Sequence, residues 1–210
     1  MNIYERLHAR FGPQRWWPAQ TACEMIVGAV LTQNTAWSNV EKAIAVLRAR
    51  EMLHLDALHR VSMRDLADAI RASGFFNLKA RRLKALVDFI VVRYGTLARM
   101  FAQDAVTLRA ELLRVNGIGP ETADSILLYA GGVPIFVVDA YTRRVFLRHG
   151  LIQEADDYHD IQALFMAHLT RDAVLFNEYH ALIVRAAKYH CKKTAPDCAT
   201  CPLGDLPVWL

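Results

Sequence analysis

The sequence lacks features that would place it among membrane or secreted proteins. Its longest apolar runs, such as residues 25–31, fall far short of the roughly 18 residues that suggest a membrane span, and the N-terminus has no signal-peptide pattern. There are only four cysteines, and three of them lie between Cys191 and Cys201, which favours a metal site over a disulfide framework. We therefore expect an intracellular, cytoplasmic protein without a membrane partner.

Strand patterns, internal repeats, low-complexity segments and linkers rich in Gly, Ser or Pro are also missing. The chain does contain 54% hydrophobic residues over 210 positions, enough for one substantial core or two small ones. Lys and Arg exceed Asp and Glu by 25 to 21, and this balance suits a polyanionic partner without requiring one. The sequence predicts an all-α protein.

Helical periodicity and capping residues mark several elements. Capping boxes predict two helix starts, Thr21 with Glu24 and Ser38 with Glu41. The helix after Thr21 runs to about Leu31 and has little polar surface, so we expect it to be buried. A longer helix over residues 78–94 carries four basic side chains on a polar face that is typical of a solvated surface: Lys79, Arg81, Arg82 and Lys84.

The most informative stretch of the chain is residues 112–139. Two apolar helical patterns flank Asn116-Gly117-Ile118-Gly119-Pro120, a spacing that predicts a helical hairpin. Glycines permit positive φ and a close backbone approach, while Pro120 fits the first turn of a helix. We expect amide hydrogens of this turn to point outward, where they suit a phosphate; an αα-corner closed by a glycine turn is the simpler interpretation.

The residues after the hairpin extend the pattern. Gly131-Gly132 ends the second helix, residues 133–138 form an apolar run, and Asp139 precedes an amphipathic helix over residues 140–148. Taken singly, Asp139 is a helix N-cap. Together, the hairpin, glycine pair, apolar run and aspartate resemble the helix-hairpin-helix (HhH-GPD) DNA glycosylases, the superfamily that includes endonuclease III.

This resemblance implies an architecture and a partner. It implies a helical barrel over about residues 21–130, with the helix-hairpin-helix at about 106–130, and a second helical domain built from residues 1–20 and 131–210. Asp139 would lie beside the hairpin in the cleft between them, at the sugar of an extruded nucleotide. The partner would be double-stranded DNA with a damaged base, bound by a monomer through six residues: Gln33, Gly117, Ile118, Gly119, Thr122 and Arg143.

Tryptophans are candidates for holding an extruded base. Trp16, Trp17 and Trp37 could stack on bases in a basic protein, although core packing is an equally good explanation for any one of them. The segments RWWP and AVLTQNTAW are similar to a narrower subfamily, the bacterial 3-methyladenine DNA glycosylases built on the endonuclease III fold. This similarity implies a bacterial, nucleoid-associated enzyme in which the three tryptophans form the base pocket.

Two further positions take roles from the same resemblance. Gln33 matches the position whose side chain fills the gap left in the duplex, whereas a loop amide bonded to local backbone is the alternative. Lys192 approaches the base pocket in this interpretation.

Glu121 bears on the type of reaction. Glycosylases of this family that also cut the strand carry a lysine here, whose amine forms a Schiff base with the sugar, and a carboxylate cannot do so. We expect hydrolysis instead, with Asp139 stabilising an oxocarbenium-like sugar and orienting or deprotonating water. Glu121 either lines the pocket and favours a cationic base, or is a first-turn acid that complements the helix dipole.

The C-terminal cysteines match the family pattern incompletely. Cys191, Cys198 and Cys201 reproduce the first three positions of the family's iron–sulfur loop, C-x6-C-x2-C-x5-C, but the fourth position is Pro207. Three outcomes are open: a [4Fe–4S] cluster with a non-cysteine ligand, a vestigial loop, or zinc with His190 as a ligand. The expected chemistry requires none of these metals.

The first functional hypothesis is a monofunctional DNA N-glycosylase that removes alkylated purines of the 3-methyladenine type. One alternative is a bifunctional, endonuclease III-like glycosylase and lyase for oxidised pyrimidines, and Glu121 argues against it. The other is a non-catalytic helix-hairpin-helix DNA-binding protein, and the presence of Asp139 argues against that.

Overall fold

The computed structural model describes residues 3–14, Trp16 and residues 19–207. It contains twelve α-helices within these ranges: α1 Ile3–Phe11, α2 Ala22–Leu31, α3 Trp37–Ala49, α4 Leu55–Arg60, α5 Met63–Ala69, α6 Phe76–Tyr94, α7 Leu97–Phe101, α8 Ala105–Leu113, α9 Pro120–Ser125, α10 Ala140–Arg148, α11 Tyr158–His168 and α12 Ala173–Tyr189. A 3₁₀ turn spans Arg71–Ser73, and a π-helical turn spans Ile126–Ala130. The described residues contain no strand, so the all-α prediction is confirmed.

The chain divides into two compact units. The continuous unit is Ala19–Val133, and the discontinuous unit combines Met1–Pro18 with Pro134–Leu210. In the described part of the chain, no helix is both long enough and apolar enough to cross a membrane.

The continuous unit is built around α2, whose burial was predicted. Thr21 caps this helix by accepting the N–H of Glu24 at 3.1 Å, and eight of its ten residues are buried. The Glu24 side chain does not complete the capping box. It accepts from Arg48 of α3 at 2.6 Å instead, because a buried carboxylate needs a charged partner.

The second predicted capping box is wrong. Helix α3 begins at Trp37, one residue before Ser38, and its N-cap Ala36 offers no side-chain acceptor. The carboxylate of Glu41 accepts from the indole N–H of Trp37 at 3.0 Å, so the Glu41 side chain is hydrogen-bonded to the first turn of the helix instead of to a capping residue.

Lys79 contradicts the expectation of a solvated basic face on α6. Its side chain is 1% exposed, and its ammonium donates to the carbonyl oxygens of Leu31 and Ser73 at 2.8 and 2.6 Å. These carbonyls lie at the ends of α2 and of the 3₁₀ turn, where backbone acceptors have no helical partner. The lysine therefore joins two segment ends inside the core.

The predicted helical hairpin is present as α8, a connection over residues 114–119, and α9. Gly117 has φ +84°, and a Cβ there would lie 2.6 Å from Cδ of Arg82, so glycine serves both conformation and close packing. Gly119 has a negative φ and serves as the N-cap of α9. Arg109 of α8 donates to both oxygens of fully buried Asp124 at 2.6 and 3.0 Å, which fastens the two helices together.

The discontinuous unit packs α12 against α10 and α1. Its core is aromatic: the Phe136 ring stacks on Phe165 with centroids 3.8 Å apart and meets Phe176 edge-on at 5.5 Å. Gln162 donates to the carbonyl of Phe136 at 2.6 Å, so the apolar run before Asp139 is held at its backbone as well. Arg6 of α1 pairs with Asp205, which links the two ends of the unit.

Candidate functional site

Asp139 ends the buried run and caps α10, as predicted. Its Oδ1 accepts the N–H of Thr142 at 2.7 Å, and its Oδ2 lies 3.5 Å from Nε2 of His180 on α12. The carboxylate is 14% exposed. Burial by itself would raise the pKa of Asp139, but the adjacent His180 and the hydrogen bonds from Thr142 outweigh it and hold the pKa below its ordinary value. The site therefore contains an enclosed but ionised carboxylate.

Trp16 lies in the same unit, beside His180. Its ring meets the imidazole edge-on with centroids 6.2 Å apart, and the Lys188 ammonium lies 5.8 Å from its centroid. Lys188 is also 5.8 Å from the ring centroid of Tyr141, the second residue of α10. The structure thus brings Trp16 towards Asp139 through His180. Trp17 lies outside the described residues.

Gln33 is held on the hairpin. Its amide nitrogen donates to the carbonyl of Gly117 at 3.1 Å and to the hydroxyl of Thr122 at 2.9 Å, and its amide oxygen accepts from Arg82 at 2.5 Å. Every one of these partners belongs to the continuous unit. The loop after α2 and the hairpin turn are therefore one hydrogen-bonded assembly, with Arg82 of α6 as its third member.

The hairpin amides are only partly directed outward. Ile118 is buried, and its N–H donates to the carbonyl of Val115 at 3.1 Å, so the expectation of an outward amide is wrong at this residue. Gly119 is exposed at the start of α9, where first-turn N–H groups have no partner inside the helix. Thr122 is buried through its contact with Gln33.

Glu121 and Trp37 both lie at helix starts in the continuous unit. Glu121 is exposed in the first turn of α9, the position of an acid that complements the helix dipole. Trp37 is half-buried, and its indole is fixed by Glu41.

Arg143 and Lys192 have backbone contacts that the sequence did not indicate. The guanidinium of Arg143 donates to the carbonyl oxygens of Glu154, at 2.5 Å, and Asp156. Lys192 is exposed, and its carbonyl accepts from Arg148 at 2.6 Å. Arg143 thus organises the loop after α10.

The cysteine loop does not fit a metal centre in the conformation described. Arg148 donates to Sγ of Cys191 at 3.3 Å, and His190 lies 3.0 Å from the hydroxyl of Thr200. Among the described residues, no group of three or more His, Cys, Asp or Glu side chains could hold a metal ion. We assign no chemical step to a cluster or to zinc.

Some residues of interest were missed by the sequence interpretation. His180 falls on the apolar face of α12, where a histidine is ordinarily a core residue, and only the folded structure places it beside Asp139. Phe75 is 69% exposed with φ +46° just before α6. The signal in the sequence was the pair of aromatic residues that follows Gly74. In the structure, core packing does not explain the Phe75 side chain, because it is exposed and its backbone is left-handed.

Comparisons with known sequences define the family. Residues 27–170 match the HhH-GPD superfamily of base excision DNA repair proteins. A protein of Methanocaldococcus jannaschii, provisionally named a DNA repair glycosylase, is 48% identical over 206 residues, which cover 97% of this chain and 93% of that protein. This relative is archaeal and lends no support to a bacterial origin. Endonuclease III of Bacillus subtilis is 26% identical over 87% of this chain and 79% of its own.

Solved structures agree with this relationship. The Helicobacter pylori 3-methyladenine DNA glycosylase bound to 1,N6-ethenoadenine has a TM-score of 0.75 and 30% identity, with coverage of 90% of this chain and 98% of that one. A trapped covalent complex of endonuclease III with DNA has a TM-score of 0.82 at 23% identity, with coverage of 95% and 90%, a likeness of fold. The chain therefore belongs to the HhH-GPD superfamily of base excision DNA repair proteins.

Proposed function

We propose that this protein is a monofunctional DNA N-glycosylase that hydrolyses the N-glycosidic bond of alkylated purines, of the 3-methyladenine type, after the nucleotide has been extruded from the duplex. One observation carries the proposal. Asp139 is an enclosed, ionised carboxylate at the start of α10, in a chain whose hairpin has Glu121 in place of an imine-forming lysine.

The carboxylate supplies the electrostatic part of the reaction. Loss of the base leaves positive charge on the sugar, and the ionised Asp139 opposes that charge in a site largely shielded from water. Its Oδ1 is occupied by the helix cap, so Oδ2 is the oxygen that faces the sugar or accepts a proton from attacking water. The hydrolytic route needs no covalent enzyme intermediate.

The aromatic side chains supply recognition of the base. An alkylated purine carries positive charge, which makes it a good leaving group and attracts it to an indole face. The position of the Lys188 ammonium over Trp16 supports this assignment, because the ring face already interacts with a cation. The 30% identity with the Helicobacter pylori enzyme favours the same substrate class.

DNA binding in this proposal uses the Gln33–hairpin assembly of the continuous unit. Exposed Gly119 and the first turn of α9 contact a phosphate. Gln33 gives up its hydrogen bonds to the hairpin and to Arg82 on binding and enters the gap that the extruded nucleotide leaves. Phe75 adds an exposed aromatic face that can stack on a base. We propose that a single copy of the chain binds the duplex.

Duplexes that each carry one defined lesion test the proposal. The panel contains a 3-methylated purine, 1,N6-ethenoadenine, an oxidised pyrimidine and no lesion, and the assay detects both free base and strand cleavage. We expect release of an alkylated purine without cleavage and without trapping by borohydride, which reduces an imine to a stable protein–DNA link. Trapping with release of an oxidised pyrimidine would support the bifunctional alternative, and binding without release of any base would support the non-catalytic one.

A further inference from the structure

The Asp139 carboxylate has a second fixed neighbour besides its helix cap. Oδ2 lies 3.5 Å from Nε2 of His180, a separation that suits an ion pair and is slightly long for a hydrogen bond. The imidazole belongs to α12, and the carboxylate belongs to the start of α10, two helices that pack together. The two oxygens of Asp139 are thus held from two different helices.

The imidazole itself is clamped by aromatic rings. Its ring meets Trp16 at 6.2 Å and 82°, and Phe136 at 6.5 Å and 80°, both edge-on. Phe136 is in turn fixed by its stacking on Phe165. With 5% of its surface exposed, His180 has little freedom to turn away from Asp139.

We propose that His180 is a positioning residue for Asp139, which orients Oδ2 towards the reacting sugar. The imidazole beside Oδ2 also favours the ionised form of the enclosed carboxylate. The proposal rests on the glycosylase function proposed above. A protonated imidazole contributes charge and a hydrogen, and a neutral imidazole with hydrogen on Nε2 still donates, so the orientation persists in both states.

The groups around the pair leave this role to His180. Thr142 donates to Asp139 from α10, but it brings no charge. The basic side chains near these elements are engaged elsewhere, since Arg143 binds backbone carbonyls and Lys188 lies over Trp16. The two tyrosines bring no charge. Tyr158 accepts the N–H of Val138, and burial raises the pKa of Tyr179. Removing His180 leaves burial as the main influence on Asp139, which favours the protonated acid.

The first test reads the carboxylate directly, without catalysis. Wild-type protein, His180→Gln and a control, His168→Gln at an exposed position of α11, are labelled with ¹³C at the aspartate carboxyl carbons, and Asp139 is titrated by NMR. We expect its midpoint to move to higher pH by about one pH unit in His180→Gln, as loss of a close opposite charge predicts, and to stay in place in the control. An unchanged midpoint in folded His180→Gln protein would overturn the proposal.

The second test reads the reaction in single-turnover excision across pH. In His180→Gln, the acid limb of the pH–rate profile should move to higher pH together with the titration midpoint of Asp139. At higher pH this variant should keep most of the excision rate, because the glutamine amide can still donate to Oδ2. His180→Leu, which cannot donate, should lose roughly tenfold there. Equal losses in both variants at every pH, with an unmoved limb, would indicate mere packing and refute the role. Absence of base release by the wild type would instead refute the proposed function, and the NMR titration would still decide the Asp139–His180 coupling.

Discussion

Replacing Lys79 with methionine should make the protein less stable relative to wild type at pH 10 than at pH 7. Burial lowers the pKa of Lys79 from 10.5 to about 8 in the folded protein, because the charged amine is held away from water. Methionine has a similar unbranched shape but cannot donate to the carbonyls of Leu31 and Ser73. The comparison therefore separates the cost of the charge from the benefit of the hydrogen bonds.

The sign follows from the two protonation states. Below pH 8 both folded and unfolded chains carry the charged amine, so the folded protein bears the full cost of enclosing it. Between pH 8 and 10.5 the folded protein releases the proton while the unfolded chain retains it, and the free energy of unfolding rises with pH. A neutral amine still has two hydrogens for two carbonyls. The difference in pKa corresponds to about 3 kcal/mol in full, and about 2.5 kcal/mol of it should appear between pH 7 and 10.

Denaturant unfolding of wild type and Lys79→Met at pH 7, 8.5 and 10 measures how the difference in their free energies of unfolding changes with pH. The titration of all other groups cancels in this comparison. Lys84→Met is the matched control. Lys84 lies on the same helix and also donates to backbone carbonyls, those of Leu58 and Val61 among them, but its side chain is 17% exposed. If wild type gains nothing over Lys79→Met as the pH rises, the argument about the buried charge is wrong.

The other predictions concern the proposed reaction. Asp139→Asn should keep the cap of α10 and lower excision by a factor on the order of 10² or more with DNA binding retained; equal loss of both would contradict this. Trp37→Ala should impair excision more than binding of undamaged duplex, and a thermal melt detects a simple folding defect. Lys188→Met should raise the excision of cationic bases relative to neutral ones, because it removes a competing cation from Trp16, and an unchanged ratio of kcat/KM would refute this. Metal analysis of anaerobically prepared protein should find any metal at the cysteine loop labile and excision unaffected by its removal; a tightly held four-iron cluster would contradict this.

Local signals predicted the elements that place Asp139. The sequence correctly predicted the N-cap of α10, both bounds of that helix, and the hairpin with its left-handed Gly117. These features could be predicted because caps and turns depend on residues only a few positions apart. Ser62 likewise caps α5 by accepting the N–H of Asp65, only three residues further along the chain.

Contacts between distant segments could not be predicted in this way. Lys79 reads as a surface residue because its acceptors are carbonyl groups at the ends of other segments, which no side-chain pattern reveals. His180 looks like an ordinary core residue until α12 is packed against α10. The binding of Gln33 to the hairpin depends in the same way on tertiary packing.

The discontinuous unit has a consequence for the order of folding. Residues 19–133 are contiguous, so the continuous unit can close its core as soon as it leaves the ribosome, whereas α1 must wait for α12, its packing partner at the far end of the unit. The hairpin is thus complete early in synthesis, while the contact of Asp139 with His180 forms only after α12 has been made. A nascent chain halted after residue 133 would carry the proposed DNA-binding elements but would lack Asp139, and so could not hydrolyse the N-glycosidic bond.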